Sequence, residues 1–331
     1  MRVLLTGSSG WLGRYLAPML SQSGHSVVGL DLAEGTHTQI VGSVADRSLV
    51  ERVFRQEHIE AVVHGAALHK PDLARYPASA FVDVNVTGTL NLLEAATTAG
   101  HDRFVFTSTT SLMISAAIRA EEGHAAVWLT EETTPLEPRN MYGVTKLAAE
   151  HLCRLQHLER GLSVVVLRTS RFFPEEDDMA HEIPLSGPNT KANELLYRRL
   201  TVEDAARAHI VALEKAPSLG FETFIVSAPT PFVRDDAADL KRDAASVIER
   251  YFPGARALYE RAGFRLPTSI GRVYDASRAE RLLGFRCRTA FADVLTALEA
   301  GSPLPFVHDP NYVSPKEPTS GPTAAPASPA L

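Results

Sequence analysis

Tyr142 and Lys146 are separated by three residues in the run Tyr142-Gly143-Val144-Thr145-Lys146. Residues four apart share a helix face, so a helix here would aim a phenol and an ammonium in the same direction. An unaided phenol ionises near about pH 10, too high for a base at neutral pH. A neighbouring ammonium favours the phenolate and draws it toward the working range. The pair is a candidate acid/base unit for taking a proton from a hydroxyl. The same spacing also occurs in ordinary surface pairs, so its meaning depends on what the rest of the chain places beside it.

The N-terminus supplies that context. Arg2-Val3-Leu4-Leu5-Thr6 reads as a buried strand, and Gly7-Ser8-Ser9-Gly10-Trp11-Leu12-Gly13 follows it. A helical pattern through Leu12, Leu16, Met19 and Leu20 then stops at Gly24. Strand, glycine turn and helix in that order form a dinucleotide fingerprint. Gly7 makes the turn, Gly10 admits the pyrophosphate, and Gly13 lets helix pack on strand. The phosphates then meet the helix N-terminus. A second strand, Ser26–Leu30, ends at Asp31, 18 residues past Gly13, where an acid meets the adenosine ribose diol. An acid there repels a 2′-phosphate, so the expected cofactor is NAD and not NADP.

Later segments keep a βαβ rhythm. Strands are expected at 40–44, 61–64, 103–107 and 163–167, with helices over 48–56, 78–99 and 142–159. This alternation implies an α/β fold: a Rossmann-type doubly wound parallel sheet. From about residue 170 the rhythm weakens. Helices over 201–215, 236–250, 276–283 and 291–299 and a strand over 221–226 suggest a smaller C-terminal α/β substrate lobe. The expected organisation is a cofactor domain over 1–169, a substrate lobe over 170–302 and a disordered tail over 303–331, which carries eight prolines.

Composition narrows the classes. The 331 residues are 45% hydrophobic and 22% charged, with a net charge of −6. That balance leaves no electrostatic footprint for nucleic acid or an anionic membrane, and no apolar run approaches a membrane span. Cys153 and Cys287 do not make a disulfide framework, which fits a reducing, cytoplasmic compartment. The twelve histidines lack metal-ligand spacing, so no metal is expected.

The motifs together resemble the extended short-chain dehydrogenase/reductases, the NAD-dependent epimerase/dehydratase family. They are Thr6-Gly7-x-x-Gly10-x-x-Gly13, Asp31, Asp46, His64-Gly65-Ala66-Ala67, Asn85-Val86-Thr87-Gly88, Phe106-Thr107-Ser108-Thr109 and Tyr142-x-x-x-Lys146. The resemblance covers about residues 1–300. It implies Tyr142 as acid/base, Lys146 as holder of the nicotinamide ribose, and Thr109 as hydroxyl partner, with Thr110 or Ser111 if the strand slips. It also implies a cofactor site of Gly7, Gly10, Trp11, Leu12, Gly13, Asp31, Asp46, Ala66, Ala67, Asn85, Thr107, Tyr142, Lys146 and Arg168. The 4,6-dehydratases carry an Asp-Glu pair after the Thr; here those positions are Thr110 and Ser111, which argues against dehydration. A homodimer pairing the helices at about 78–99 and 142–159 is the family habit.

The substrate side is less specific. His69, Thr110, Ser111, Arg171 and Arg199 are candidate contacts, while Glu175-Glu176-Asp177-Asp178 would repel a diphosphate unless it faces water. Trp128 is expected to anchor the long interval before Tyr142. The function expected is hydride transfer at a hydroxyl-bearing carbon of a sugar or nucleotide sugar, giving net epimerisation if the cofactor stays bound. The alternatives are a dehydrogenase or ketoreductase with exchanging cofactor and a non-catalytic NAD(H) sensor.

Overall fold

The computed structural model describes residues 1–175 and 185–315. Glu176, Asp177 and Asp178 of the acidic run, and 316–331 of the proline-rich stretch, lie outside the described residues. The described residues form two compact units that interleave in sequence: 1–106, 140–164 and 314–315 make one, 107–139, 165–175 and 185–313 the other.

In the first unit β1 (Arg2–Thr6) is followed by α1 (Trp11–Gln22), β2 (Ser26–Asp31), β3 (Ile40–Val41), α2 (Arg47–Glu57) and β4 (Ala61–His64). The strands are parallel, and Val3, Leu4, Val62 and Val63 are fully buried. Near-continuous apolar strands are what a sheet covered on both faces requires. Strand β3 is shorter than expected. After Val41 the Gly42 amide donates to the Asp31 carbonyl, and Asp46 N–H turns back onto the Ser43 carbonyl to start α2.

The expected long helix over 78–99 is present in three pieces: α3 (Ala78–Phe81), a π-helical turn over Val82–Thr87, and α4 (Gly88–Thr98). The β-branched Val82, Val84, Val86 and Thr87 are poor helix formers, and one widened turn absorbs them around buried Asn85.

Strand β5 (Phe104–Thr109) runs two residues beyond its expected end. It leads to α5 (Ala116–Ala120), β6 (Val127–Leu129), α6 (Met141–Arg160) and β7 (Val164–Thr169). The seven-stranded sheet has the order β3-β2-β1-β4-β5-β7-β8, where β8 is Phe221–Val226. Strand order reverses between β1 and β4, both in the first unit, and such a switch point is where open α/β sheets bind ligands.

The second unit also holds α7 (Gly187–Glu194), α8 (Val202–Leu219), α9 (Ala237–Tyr251), α10 (Ala255–Arg261), β9 (Arg272–Tyr274) and α11 (Phe291–Ala300). Strand β9 pairs in parallel with β6. A core of Leu195, Leu196, Leu240, Ile248, Tyr259, Val273 and Phe291 joins the end of α7 to α9, α10, β9 and α11, with Leu304 and Phe306 packed on it. Trp128 on β6 lies against this core and donates its indole N–H to Asp275 at 3.0 Å, the anchoring expected of it. Among the described residues no helix is long and apolar enough to cross a membrane.

Candidate active site

At the switch point the chain turns at Gly7 with φ +77°. A Cβ there would lie 2.8 Å from the Ala66 amide nitrogen, and one on Gly13 would lie 2.3 Å from the Gly7 carbonyl oxygen. Backbone cannot give way to such contacts, so only glycine fits either position. Helix α1 starts at Gly10 with no side-chain cap and no acid in its first turn, so its positive end carries no carboxylate of its own.

Asp31 closes the other side of the turn. Its carboxylate accepts from the Ser9 amide at 2.9 Å and the Ala33 amide at 3.0 Å. The Thr38 hydroxyl lies 2.6 Å from both the Ser8 and Ser9 hydroxyls, and Ser9 Oγ donates to the Ala33 carbonyl. These bonds pin the loop after β2 to the glycine turn. A cavity of about 320 Å³ opens between Ser8, Ser9, Arg14 and residues 34–37. Trp11 packs at a tilt against Tyr15 on the first turns of α1, and Leu12 follows it there. Asp46 is exposed and caps α2 by accepting from the Leu49 amide.

From the glycine turn a buried hydrogen-bond chain runs to α6. The Ala66 amide donates to Thr6 Oγ1, which lies 2.7 Å from His64 Nδ1. His64 Nε2 lies 3.0 Å from Thr89 Oγ1, and that hydroxyl donates to the Asn85 carbonyl. Because Thr89 gives its proton to Asn85, His64 carries its hydrogen on Nε2 and accepts from Thr6 at Nδ1. Burial, with the Lys146 charge adding to it, pushes His64 well below its usual pKa and keeps the ring neutral. The Asn85 side chain donates to the Leu68 carbonyl and to Thr145 Oγ1, and it accepts from the Leu68 amide; Ala67 is the residue before Leu68. Thr145 donates back to the Met141 carbonyl in the first turn of α6.

Helix α6 opens at Asn140, whose side chain accepts from the Gly143 amide. Tyr142 is half-buried in its first turn and Lys146 is 3% exposed one turn later. The Lys146 ammonium sits 4.0 Å from the centroid of the Phe106 ring. Burial lowers it to about 7, against the opposing pull of Glu150. Burial outweighs the attraction of the ring for the charged form and leaves the amine between its two protonation states at neutral pH.

His69 opens the turn after β4, its amide donating to buried Asp72 at 2.9 Å.

In the second unit Thr109 ends β5, and its Oγ accepts from the Ser111 amide at 3.1 Å. Thr110 is buried, donating to the Thr169 carbonyl. The Thr107 hydroxyl donates to His209 Nε2 at 2.8 Å, since His209 gives its Nδ1 hydrogen to the Ala205 carbonyl. Burial lowers His209 to about 4. Arg168 is buried near the end of β7, and Arg171 pairs with Arg199 through a parallel backbone bridge. The Arg199 guanidinium is held inside the unit by Glu194 at 2.9 Å and by the Phe173 carbonyl. Among the described residues no cluster of His, Cys, Asp and Glu could hold a metal ion.

Several groups of this site escape sequence reasoning. Thr38 has no local signal. His64 and Thr6 meet only through the β1–β4 register, and Thr145 carries no signal of its own between the two residues that bear chemistry.

A family model described as the NAD dependent epimerase/dehydratase family matches residues 3–226. The chain belongs to that family. The UDP-glucose 4-epimerase of Rhizobium meliloti (strain 1021) is 30% identical over 174 residues, 50% of each chain. This chain spans about half the length of the curated relatives it matches. Among solved structures, the UDP-N-acetylglucosamine 4-epimerase of Bacillus cereus superposes with a TM-score of 0.60 at 22% identity, over 91% of this chain and 98% of that one. The Thermus thermophilus UDP-glucose 4-epimerase, in complex with NAD, gives 0.60 at 23% identity, over 90% and 99%. At these identities the likeness is one of fold. The family depends on NAD, and the residues here fit that cofactor. A glycine cradle that a Cβ would fill, an uncapped helix start and Asp31 beside them suit a dinucleotide.

Proposed function

We propose that this chain transfers hydride at a hydroxyl-bearing carbon of a sugar or nucleotide sugar, and that the net reaction is epimerisation. The observation that carries the reading is the buried Lys146 amine one turn from Tyr142, on a helix tied by Thr145 and Asn85 to the strands around the glycine turn. NAD, when bound, supplies the acceptor for the hydride and returns it. Tyr142 as phenolate takes the proton of the substrate hydroxyl while the carbon gives up its hydride, leaving a ketone. Lys146 in its protonated form favours that phenolate. Thr109, at the end of β5, is the hydroxyl-donor candidate: its Oγ accepts from the Ser111 amide and keeps its hydrogen to give. Tyr142 returns the proton when hydride comes back to the opposite face. The curated relatives and solved neighbours named for UDP sugars support a nucleotide sugar as the substrate class. Val144, Leu155 and Leu158, exposed on α6, support a homodimer through that helix.

The deciding experiment compares the parent chain with Tyr142→Phe on a panel of nucleotide sugars. Inverted product without net NADH, lost by at least about 100-fold in the variant while NAD binding persists, is the expected result. Stoichiometric NADH would make the chain a dehydrogenase. Turnover unchanged in the variant would remove Tyr142 from the mechanism.

A further inference from the structure

We propose that the segment Ser314–Pro315 supplies one wall of the cavity beside the glycine turn and slows the release of bound NAD, an inference that rests on that turn holding the cofactor. Ser314 Oγ lies 3.4 Å from His69 Nε2, in the turn that follows β4. The next residue, Pro315, borders the cavity formed by Ser8, Ser9, Arg14 and residues 34–37. Two consecutive residues therefore touch both sides of the switch point: the β4 side through His69, and the β1–β2 side through the glycine turn and the loop held by Thr38. His69 is a firm anchor, because its amide is fixed to Asp72, itself 1% exposed.

The space decides between covering a ligand and taking its place. About 320 Å³ remains open alongside Pro315, so the segment bounds the cavity and does not fill it. A proline suits a wall. Its φ is fixed, it has no amide hydrogen to satisfy, and little conformational freedom is lost when it packs against a ligand. A wall that must move aside before a bound dinucleotide leaves acts on dissociation more than on affinity for the encounter. Slow release is what the proposed epimerisation needs, since the hydride has to return to the carbon it left.

The test uses the full chain and a Ser314→Ala/Pro315→Gly double variant, each loaded with the fluorescent analogue etheno-NAD and chased with excess NAD in a stopped-flow instrument. The variant is expected to release the analogue about tenfold faster, with association within about twofold of the parent. Hydrogen exchange at the Val313 and Ser314 amides of the parent is expected to slow on addition of NAD. Equal release rates overturn the wall. A variant that associates faster and binds more tightly also overturns it, because the segment then competes with the nucleotide. A parent chain that takes up no nucleotide overturns the cofactor reading together with the wall, whereas uptake with release at the variant's rate overturns the wall alone.

Discussion

Lys146→Met keeps the length of the side chain and removes its charge, and it is expected to stabilise the protein while ending its activity. The folded ammonium titrates at about 7, against an ordinary value of 10.5. Between those values the unfolded chain holds a proton that the folded chain has given up, so this group makes stability rise with pH from 7 toward 10.5. At about 1.4 kcal/mol per pKa unit, the difference of about 3.5 units sets a penalty of about 5 kcal/mol in full and a little over 4 kcal/mol at pH 7, where the folded amine is half protonated. Local relaxation around a buried charge reduces that penalty, and losing the ammonium–Phe106 contact forfeits about 1 kcal/mol. A net gain of about 2 kcal/mol at pH 7 remains. Urea unfolding of both proteins without nucleotide, followed by circular dichroism at pH 7 and pH 9.5, reads it directly. The variant is expected to lead at the lower pH, and the lead is expected to shrink below about 1 kcal/mol at the higher one. A variant less stable than the parent at pH 7, or a gap that does not close as pH rises, would refute the claim that burial holds this amine near neutrality.

Two further perturbations test other parts of the fold. Gly13→Ala places a Cβ 2.3 Å from the Gly7 carbonyl oxygen. It is expected to lower stability by about 2 kcal/mol or more and to weaken NAD binding in calorimetry at least about tenfold. His209, lowered to about 4 by burial, stays neutral in the folded chain while the unfolded chain takes up a proton below about 6.5, so stability falls as pH drops through that interval. His209→Gln is expected to flatten the acid limb of a stability–pH curve by about 2 kcal/mol between pH 6.5 and 4, and an unchanged limb would show that the ring is not the group responsible.

The elements nearest the chemistry are legible because their signals are local. Gly7, Gly10 and Gly13 are read from their spacing after β1, with glycine obligatory at Gly7 and Gly13, and Asp31 from the end of an apolar strand. Tyr142 and Lys146 lie one turn apart on α6 as their spacing predicts, and the glycine turn upstream is what gives that spacing meaning. The longer strands from β1 to β7 emerge from apolar runs punctuated by helical patterns, and their bounds agree within one or two residues apart from β3. What stays hidden depends on distant pairing. Strands β6 and β9 are three residues each and pair across most of the second unit, so neither shows a period of its own. Helix α7 carries buried Asn189, Lys191, Asn193 and Glu194, a pattern that reads as polar loop until its partners are known. Asn85 in the π-helical turn bonds the backbone of Leu68, a pairing with another segment that the sequence does not reveal. Arg199 reads in the sequence as a guanidinium that could hold an anion, but Glu194, five residues earlier, turns it inward.

The row of hydroxyls, imidazole and amide from Thr6 to Thr145 has one further property. The row is broken at Asn85: Thr89 ends on that residue's backbone carbonyl, the side-chain amide starts afresh toward Thr145, and an amide does not take up a proton and hand it on. Such a row behaves as an insulator: it sets the posture of the helix that bears the phenol, and it offers no drain into the protein interior for a proton taken from substrate.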